Sequence, residues 1–298
     1  MQHKTQIDVH LVQCLVASQF PHWANLEIKP VEQSGWDNRT FRLGPHMTVR
    51  MPSHADYAEQ VKKEQFWLPK LRPHLALPIP KPLARGMPEF GYPWSWSVYK
   101  WIDGYPASTK TILDLKKFAI RLAEFLCSLH KCSTVGGPPA GQHSFYRGGE
   151  LLVYDGETRT AIASLSDYER AKKLTQIWNL ALASTWQRPA VWVHGDIAIG
   201  NLLVNNGQLC AVIDFGQLCI GDPACDLVIA WTLFTKESRN AFFDGLKLDE
   251  ATWVRARGWA LWKALCWTFP GEKRIDWLVV NEVMADYEYS IKLLKKTS

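Results

Sequence analysis

Long apolar runs are missing from this chain. No stretch approaches the roughly 20 apolar residues that a membrane-spanning helix needs. The first twenty residues, MQHKTQIDVHLVQCLVASQF, are broken by His, Gln and Asp and lack the apolar core of a secretory signal. They read as an amphipathic first helix of a cytoplasmic protein with no membrane partner. Cysteine is sparse and unpatterned, with seven residues and no C-x-x-C pair. That excludes a disulfide scaffold, argues against a zinc site and fits reduced thiols. Runs of one charge are missing too. The formal net charge is +5, and residues 217–298 hold eleven Lys/Arg against eleven Asp/Glu. Nothing here suits a nucleic-acid partner. There is no internal repeat and no low-complexity tract.

The apolar share of 47% and charged share of 21% suit a soluble globular enzyme. A length of 298 residues suits one large two-lobed unit or two domains. Residues 26–51 show short β-like runs broken by SGWDN and GPH, which predicts two or three antiparallel strands. Residues 55–72 follow as a helix with a late proline. Residues 73–93 are Pro-rich and irregular, and 94–102 (WSWSVYKWI) predict another strand. Beyond Thr109 helical patterns dominate, at 111–131, 166–187, 222–235, 249–268 and 275–296. Residues 133–160 are Gly-rich and loop-like. The expected fold class is α+β. It has a small β-rich N-terminal lobe with one key helix (residues 1–103) and a larger, mostly helical C-terminal lobe (residues 104–298).

One stretch departs from the helical character of that second lobe. Residues 194–216 read HGDIAIGNLLVNNGQLCAVIDFG. The Asn206-Gly207 pair between two apolar runs is the strongest short-range signal for a two-residue hairpin turn. With that pair at the turn, Val204 faces Leu209, Leu203 faces Cys210, Leu202 faces Ala211 and Asn201 faces Val212. Asn201 and Asp214 then share one face at the open end, a cross-strand diagonal of about 7–8 Å. Two oxygen-bearing side chains placed so can converge on one hard cation. Mg²⁺ takes one or two protein oxygens and completes its shell with water and substrate phosphates. Asp196 lies in the loop just before, free to face an acceptor hydroxyl.

His194-Gly195-Asp196, then Asn201, then Ile213-Asp214-Phe215-Gly216 resemble the aminoglycoside phosphotransferase family, small-molecule kinases with a protein-kinase-like fold. The segment 221–231, GDPACDLVIAW, is similar to the one those enzymes carry after the metal aspartate. The resemblance implies transfer of the γ-phosphoryl group of ATP, or GTP, to a hydroxyl of a small molecule. It implies Asp196 as the base and Asn201 and Asp214 as Mg²⁺ ligands. No lysine follows Asp196, and Gly195 stands where protein kinases have arginine. Both features favour the small-molecule kinases.

Such a lobe needs a cation for the phosphates and a helix carboxylate to hold it. On helix 55–72, Glu64 falls on the apolar stripe of Tyr57, Val61, Leu68 and Leu71. A carboxylate on a buried face needs a partner. The strand MTVRM offers Arg50 where the family has lysine, and a guanidinium is chemically workable there. Arg42 and Arg39 are the alternative partners. The resemblance further implies that the amides near Ser34 and Gly35 cradle phosphate. It implies as well that adenine bonds backbone groups of Lys100 and Ile102, with Tyr99 behind it.

For the acceptor, the resemblance points to the C-terminal helices, where Trp231, Trp259, Trp262 and Trp267 lie. An aminoglycoside-type antibiotic, the favoured acceptor, needs carboxylates, and Glu282, Asp286 and Glu288 are the candidates. A Trp-rich pocket suits a macrolide or a less charged metabolite, such as an amino alcohol or a sugar, better. Asp222 is expected to cap the helix starting at Pro223, and Asp226 to brace the catalytic loop. A nucleotide-binding regulatory module with little turnover is the rival from another class. The intact Asp196, Asn201 and Asp214 set argues against it.

Overall fold

The computed structural model describes residues 7–31, 37–266 and 274–297. Ser34, Gly35 and Trp267 lie outside the described residues. Helix α1 (Val9–Gln19) is capped by Asp8, whose side chain accepts from Leu11 N. Strands β1 (Ile28–Pro30), β2 (Asn38–Leu43), β3 (Met47–Pro52), β4 (Pro82–Gly86) and β5 (Trp96–Lys100) form an antiparallel sheet ordered β1-β2-β3-β5-β4. Helix α2 (Ala55–Leu71) runs between β3 and β4, and Pro69 sits in its last turn.

Alternation along the strands sorts this sheet into two faces. Val49 and Met51 of β3 and Trp96 and Val98 of β5 are buried in one cluster with Val12, Leu15 and Val16 of α1. The intervening residues turn the other way, toward α2. Gln65 donates to Ser97 Oγ at 3.0 Å, and Tyr99 Oη donates to Glu64 Oε2. Arg50, paired in register with Ser97, faces α2 as well. β4 was read as irregular because of its prolines. It is an edge strand, where a residue without an N–H costs no ladder bond.

The second region begins with the short strand β6 (Tyr105–Pro106) and helix α3 (Leu115–His130), capped by Asp114. Helices α4 (Asp155–Ala163) and α5 (Tyr168–Ala183) follow, and then strand β7 (Val191–Val193). The hairpin β8 (Leu202–Asn205) and β9 (Gln208–Val212) leads to β10 (Cys219–Gly221), which pairs with β7. A 3-10 segment (Pro223–Val228), α6 (Ile229–Thr232), α7 (Lys236–Leu246), α8 (Glu250–Cys266) and α9 (Trp277–Thr297) complete the chain. α4 begins inside the segment expected to be loop (133–160) and runs three residues past it, and α7 falls between two predicted helices. α7 starts at a Thr235/Ser238 capping box, a local signal stronger than its mixed periodicity. α8 is buried nearly all round, with Trp253, Trp259 and Trp262 packed into the main core. No helix among the described residues is long and apolar enough to cross a membrane.

Candidate active site

The hairpin forms at the expected turn. Asn206 and Gly207 both have positive φ, 49° and 75°, as the two central residues of a type I′ turn require. Asn205 pairs with Gln208 and Val204 with Leu209. The register beyond that differs from expectation. A bulge at Cys210 places Leu203 opposite Ala211 and Leu202 opposite Val212, and the Cys210 thiol bonds the Leu203 carbonyl at 3.2 Å. Asn201 consequently faces Ile213, whose N–H donates to the Asn201 carbonyl at 2.9 Å. The shared-face argument for Asn201 and Asp214 therefore fails by one residue. A 3-10 turn over Ile199–Asn201 and the left-handed backbone of Asp214 (φ 68°) orient the two side chains instead.

The loop that carries Asp196 is braced from behind. Asp226, fully buried, accepts from the amides of His194 and Gly195, each at 2.8 Å. Burial pushes its carboxyl up to about 7, against the pull of those two amides. Asp222 caps the segment that begins at Pro223 by accepting from Ala224 N, and it pairs with Arg255 at 2.6 Å. His194 Nε2 contacts the Ile213 carbonyl at 3.1 Å, and His194 Nδ1 accepts from Asp196 N at 3.2 Å. These two bonds specify a neutral ring with its proton on Nε2, and burial lowers its pKa.

Asp196 therefore sits on a rigid support. Its Oδ2 accepts from Asn201 Nδ2 at 3.1 Å and its Oδ1 from Lys263 Nζ at 3.2 Å. Burial pushes this carboxyl up, but the charge and hydrogen bond of Lys263, with the charge of Arg147, outweigh burial and hold it below its usual range. It is an ionised carboxylate. Its side chain remains 30% exposed, open to a second molecule.

Arg50 bridges the two regions. Nη1 lies 3.3 Å from Glu64 Oε1 and Nη2 lies 2.7 Å from Asp214 Oδ1. Glu64 is buried on the α2 stripe, held by Arg50 and Tyr99. Arg39 and Arg42 are not its partners; Arg42 caps the Gly44 and Pro45 carbonyls. Asp37, just after the segment expected to cover phosphate, joins this cluster. Burial and the charge of Asp214 push its carboxyl up to about 6.

At the expected base site, Tyr99 is only 3% exposed and its hydroxyl donates to Glu64. The Lys100 N–H is donated to the Lys81 carbonyl. Ile102, just past β5, makes no backbone hydrogen bond among the described residues.

The donor set suits a hard cation. Asn201 Oδ1 and Asp214 Oδ2 make no hydrogen bonds among the described residues, and both are oxygens. No group of three His, Cys, Asp or Glu capable of holding a metal occurs among the described residues. Two oxygens completed by phosphates and water match Mg²⁺, which does not need an all-protein cage.

The sequence pattern of the phosphotransferase enzyme family matches residues 27–259. The chain belongs to this family. Relatives include YcbJ of Bacillus subtilis (strain 168), 25% identical over 64% of this chain and 64% of that protein. An aminoglycoside 3'-phosphotransferase of Salmonella typhimurium is 25% identical over 45% of this chain and 48% of the enzyme. The chain thus spans less than two thirds of the length of the curated relatives it matches. Among solved structures, the GDP and kanamycin complex of APH(2")-IIia superposes with a TM-score of 0.73 at 19% identity, covering 95% of this chain and 98% of the other. Macrolide 2'-phosphotransferase MphH from Brachybacterium faecium gives 0.59 at 18% identity, covering 98% and 94%. This phosphotransferase-family chain therefore has the protein-kinase-like fold, with an antiparallel-sheet N-terminal region and a helical C-terminal region.

Lys263 and Arg147 were not among the residues singled out from sequence. Arg147 stands in a loop and Lys263 lies a long way down the chain. Only the helical spacing of Lys263 from Trp259, which puts both on one face of α8, could have drawn attention to it. The acceptor-side candidates also settle. Glu282 pairs with Arg239, Asp286 lies 2.7 Å from Arg257, and Glu288 pairs with Lys173.

Proposed function

We propose that this chain is a Mg²⁺-dependent phosphotransferase that moves the γ-phosphoryl group of ATP or GTP to a hydroxyl of a small molecule. The observation that carries this reading is the ionised Asp196. It stands on a braced loop beside Asn201, and Arg50 spans from Asp214 to Glu64. Asn201 Oδ1 and Asp214 Oδ2 would hold the ion, which would neutralise phosphate charge. Arg50, set by Glu64 and Tyr99, would face the phosphates, and the free backbone groups of Ile102 would meet the base. The Ser34 and Gly35 amides would cover the phosphates. The domain division near Gly104 would leave the nucleotide between the two lobes. Asp196 would accept the proton of the attacking hydroxyl. That oxygen bonds the γ-phosphorus while the bridging oxygen leaves with the nucleoside diphosphate.

Asp196→Asn keeps size and removes proton affinity. General-base contributions run to about 10²–10⁴-fold, and transfer should fall at least that far. Folding stability should stay within about 1 kcal/mol of wild type, as for substitutions away from a core. Transfer, melting temperature and nucleotide affinity measured on one preparation check this. Near-wild-type transfer removes the base assignment. The intact Asp196, Asn201 and Asp214 set favours turnover over a regulatory module. For the acceptor, an aminoglycoside would need carboxylates, and Glu282, Asp286 and Glu288 are already engaged by Arg239, Arg257 and Lys173. That favours a less charged alcohol over the polycationic class.

A further inference from the structure

An open hollow of about 640 Å³ lies against α2, and its lining includes none of Arg50, Asp196, Asn201 or Asp214. Ligand sites commonly fall between about 300 and 1,000 Å³. Glu59, Lys62, Lys63 and Phe66 recur at helical spacing and form its α2 wall. Arg85 of the edge strand β4 and His143 of the 3-10 turn Gln142–Ser144 also line it. Its charge is one-sided. The single carboxylate in the lining, Glu59, is already paired with Lys62 at 2.9 Å. Lys63 and Arg85 form no ion pair among the described residues. The Lys63 ammonium donates to His143 Nδ1 at 2.9 Å and to the His143 carbonyl at 3.1 Å. His143 Nε2 meets the Pro139 carbonyl at 2.8 Å, so the ring is neutral with its proton on Nε2. An ammonium has three N–H groups, and the third of Lys63 finds no acceptor among the described residues. Burial lowers the pKa of Lys63 to about 8, more than the negative charge of Glu64 offsets. Arg85 is exposed and donates to Ser95 Oγ at 3.0 Å. Phe66, 56% exposed, meets the Trp67 ring edge-on with centres 5.0 Å apart, and Trp192 backs Trp67 at 4.8 Å. Two cations short of a counter-ion thus border an apolar corner.

We propose that this hollow binds a small organic anion with a flat apolar body, its anionic head held by Lys63 and Arg85. The spare N–H of Lys63 and the fork of Arg85 supply charge-assisted hydrogen bonds to the head. The flat body covers the exposed parts of Phe66 and Trp67 and takes their apolar surface out of water. Carboxylate and phosphate heads share this chemistry. An anion also restores to Lys63 the counter-charge that burial has denied it. A cationic ligand meets like charges at the same point and is rejected. Bound there, the anion reinforces the contact that Lys63 makes from α2 to the turn at His143. Nothing in this assignment depends on Asp196 or on the identity of the acceptor.

The test uses the full-length protein with Mg²⁺ and a saturating non-hydrolysable ATP or GTP analogue, so that the probes do not report on the nucleotide site. Binding is read by calorimetric titration at constant ionic strength. The probes are phenyl phosphate, phenylacetate, inorganic phosphate, benzyl alcohol and phenethylamine. We expect phenyl phosphate or phenylacetate to bind with a Kd of about 1 mM or tighter, and the tighter of the two identifies the head group. Inorganic phosphate, without the apolar body, should bind more weakly, and the neutral and cationic probes should give no heat. R85Q should weaken the organic anions about tenfold, the loss of one charge-assisted contact, and leave nucleotide affinity unchanged. K63Q should weaken them to a similar degree. F66A should weaken the organic anions but not inorganic phosphate. Should K63Q melt far below wild type, the exposed R85Q and F66A decide. The proposal is overturned if neither organic anion binds more tightly than about 10 mM. It is also overturned if phenethylamine binds as well as they do, or if R85Q holds them as tightly as wild type, which would place the anion elsewhere.

Discussion

Gly195 stands at φ 88°, between the buried histidine and the proposed base. A β-carbon there would lie 2.8 Å from Gln217 Cβ and 2.9 Å from the Gln217 carbonyl oxygen. Glycine is thus required twice, by backbone conformation and by space. Gly195→Ala should cost about 2 kcal/mol or more, from left-handed strain and overpacking together. It should also reduce transfer, because relief of the clash moves Asp196. Urea denaturation beside an activity assay tests this. A variant as stable and active as wild type would mean that the loop relaxes without moving its aspartate. Asp214 also carries positive φ, but as a non-glycine residue it bears local strain.

Between elements, the informative contact is that of α2 with β3 and β5. One helix carboxylate, Glu64, holds both Arg50 and Tyr99. Its burial was legible as a polar residue on an apolar stripe, and its partner followed from the need to satisfy it. Glu64→Gln keeps the shape but removes the charge facing a guanidinium of which only 15% is exposed. A stability loss of about 1–3 kcal/mol is expected, the cost of leaving a charged group poorly partnered. Nucleotide affinity should weaken too, because Arg50 keeps only Asp214 as an anchor. Chemical denaturation and nucleotide titration check the two effects. Loss of stability with unchanged affinity would confine Arg50 to a structural role. α7 and β4 were missed at this scale. Capping and edge position made them, and neither leaves a clean periodicity.

Across the whole molecule, acid sensitivity follows from burial. His130 ends α3 with Nε2 buried and without a hydrogen bond among the described residues. Burial lowers its pKa to about 4 from an ordinary 6.5. The unfolded chain therefore takes up this proton first as pH falls. The stabilisation from a neutral His130 is complete above the unfolded value and is lost as pH drops through about 4. Comparing wild type with His130→Gln isolates the effect from other titrating groups. The wild-type melting temperature should fall more steeply between pH 6.5 and about 4 than that of the variant. Parallel curves would show that His130 takes its proton in the fold.

The sequence by itself determined the short-range features: the Asn206-Gly207 turn, the cap at Asp222, and the period that buries Glu64. It also carried the ordered motif around Asp196, Asn201 and Asp214. Each of these depends on neighbours within a few residues, so local sterics and hydrogen bonding suffice. Tertiary structure decided the rest. Cys210 bulges out, which moved Asn201 one residue along its partner strand. Lys263 arrives at Asp196 from 67 residues away, and the α9 carboxylates meet arginines of α7 and α8. Such pairings depend on which helix faces the loop after packing. Charge on an isolated helix carries no record of the partner that will neutralise it.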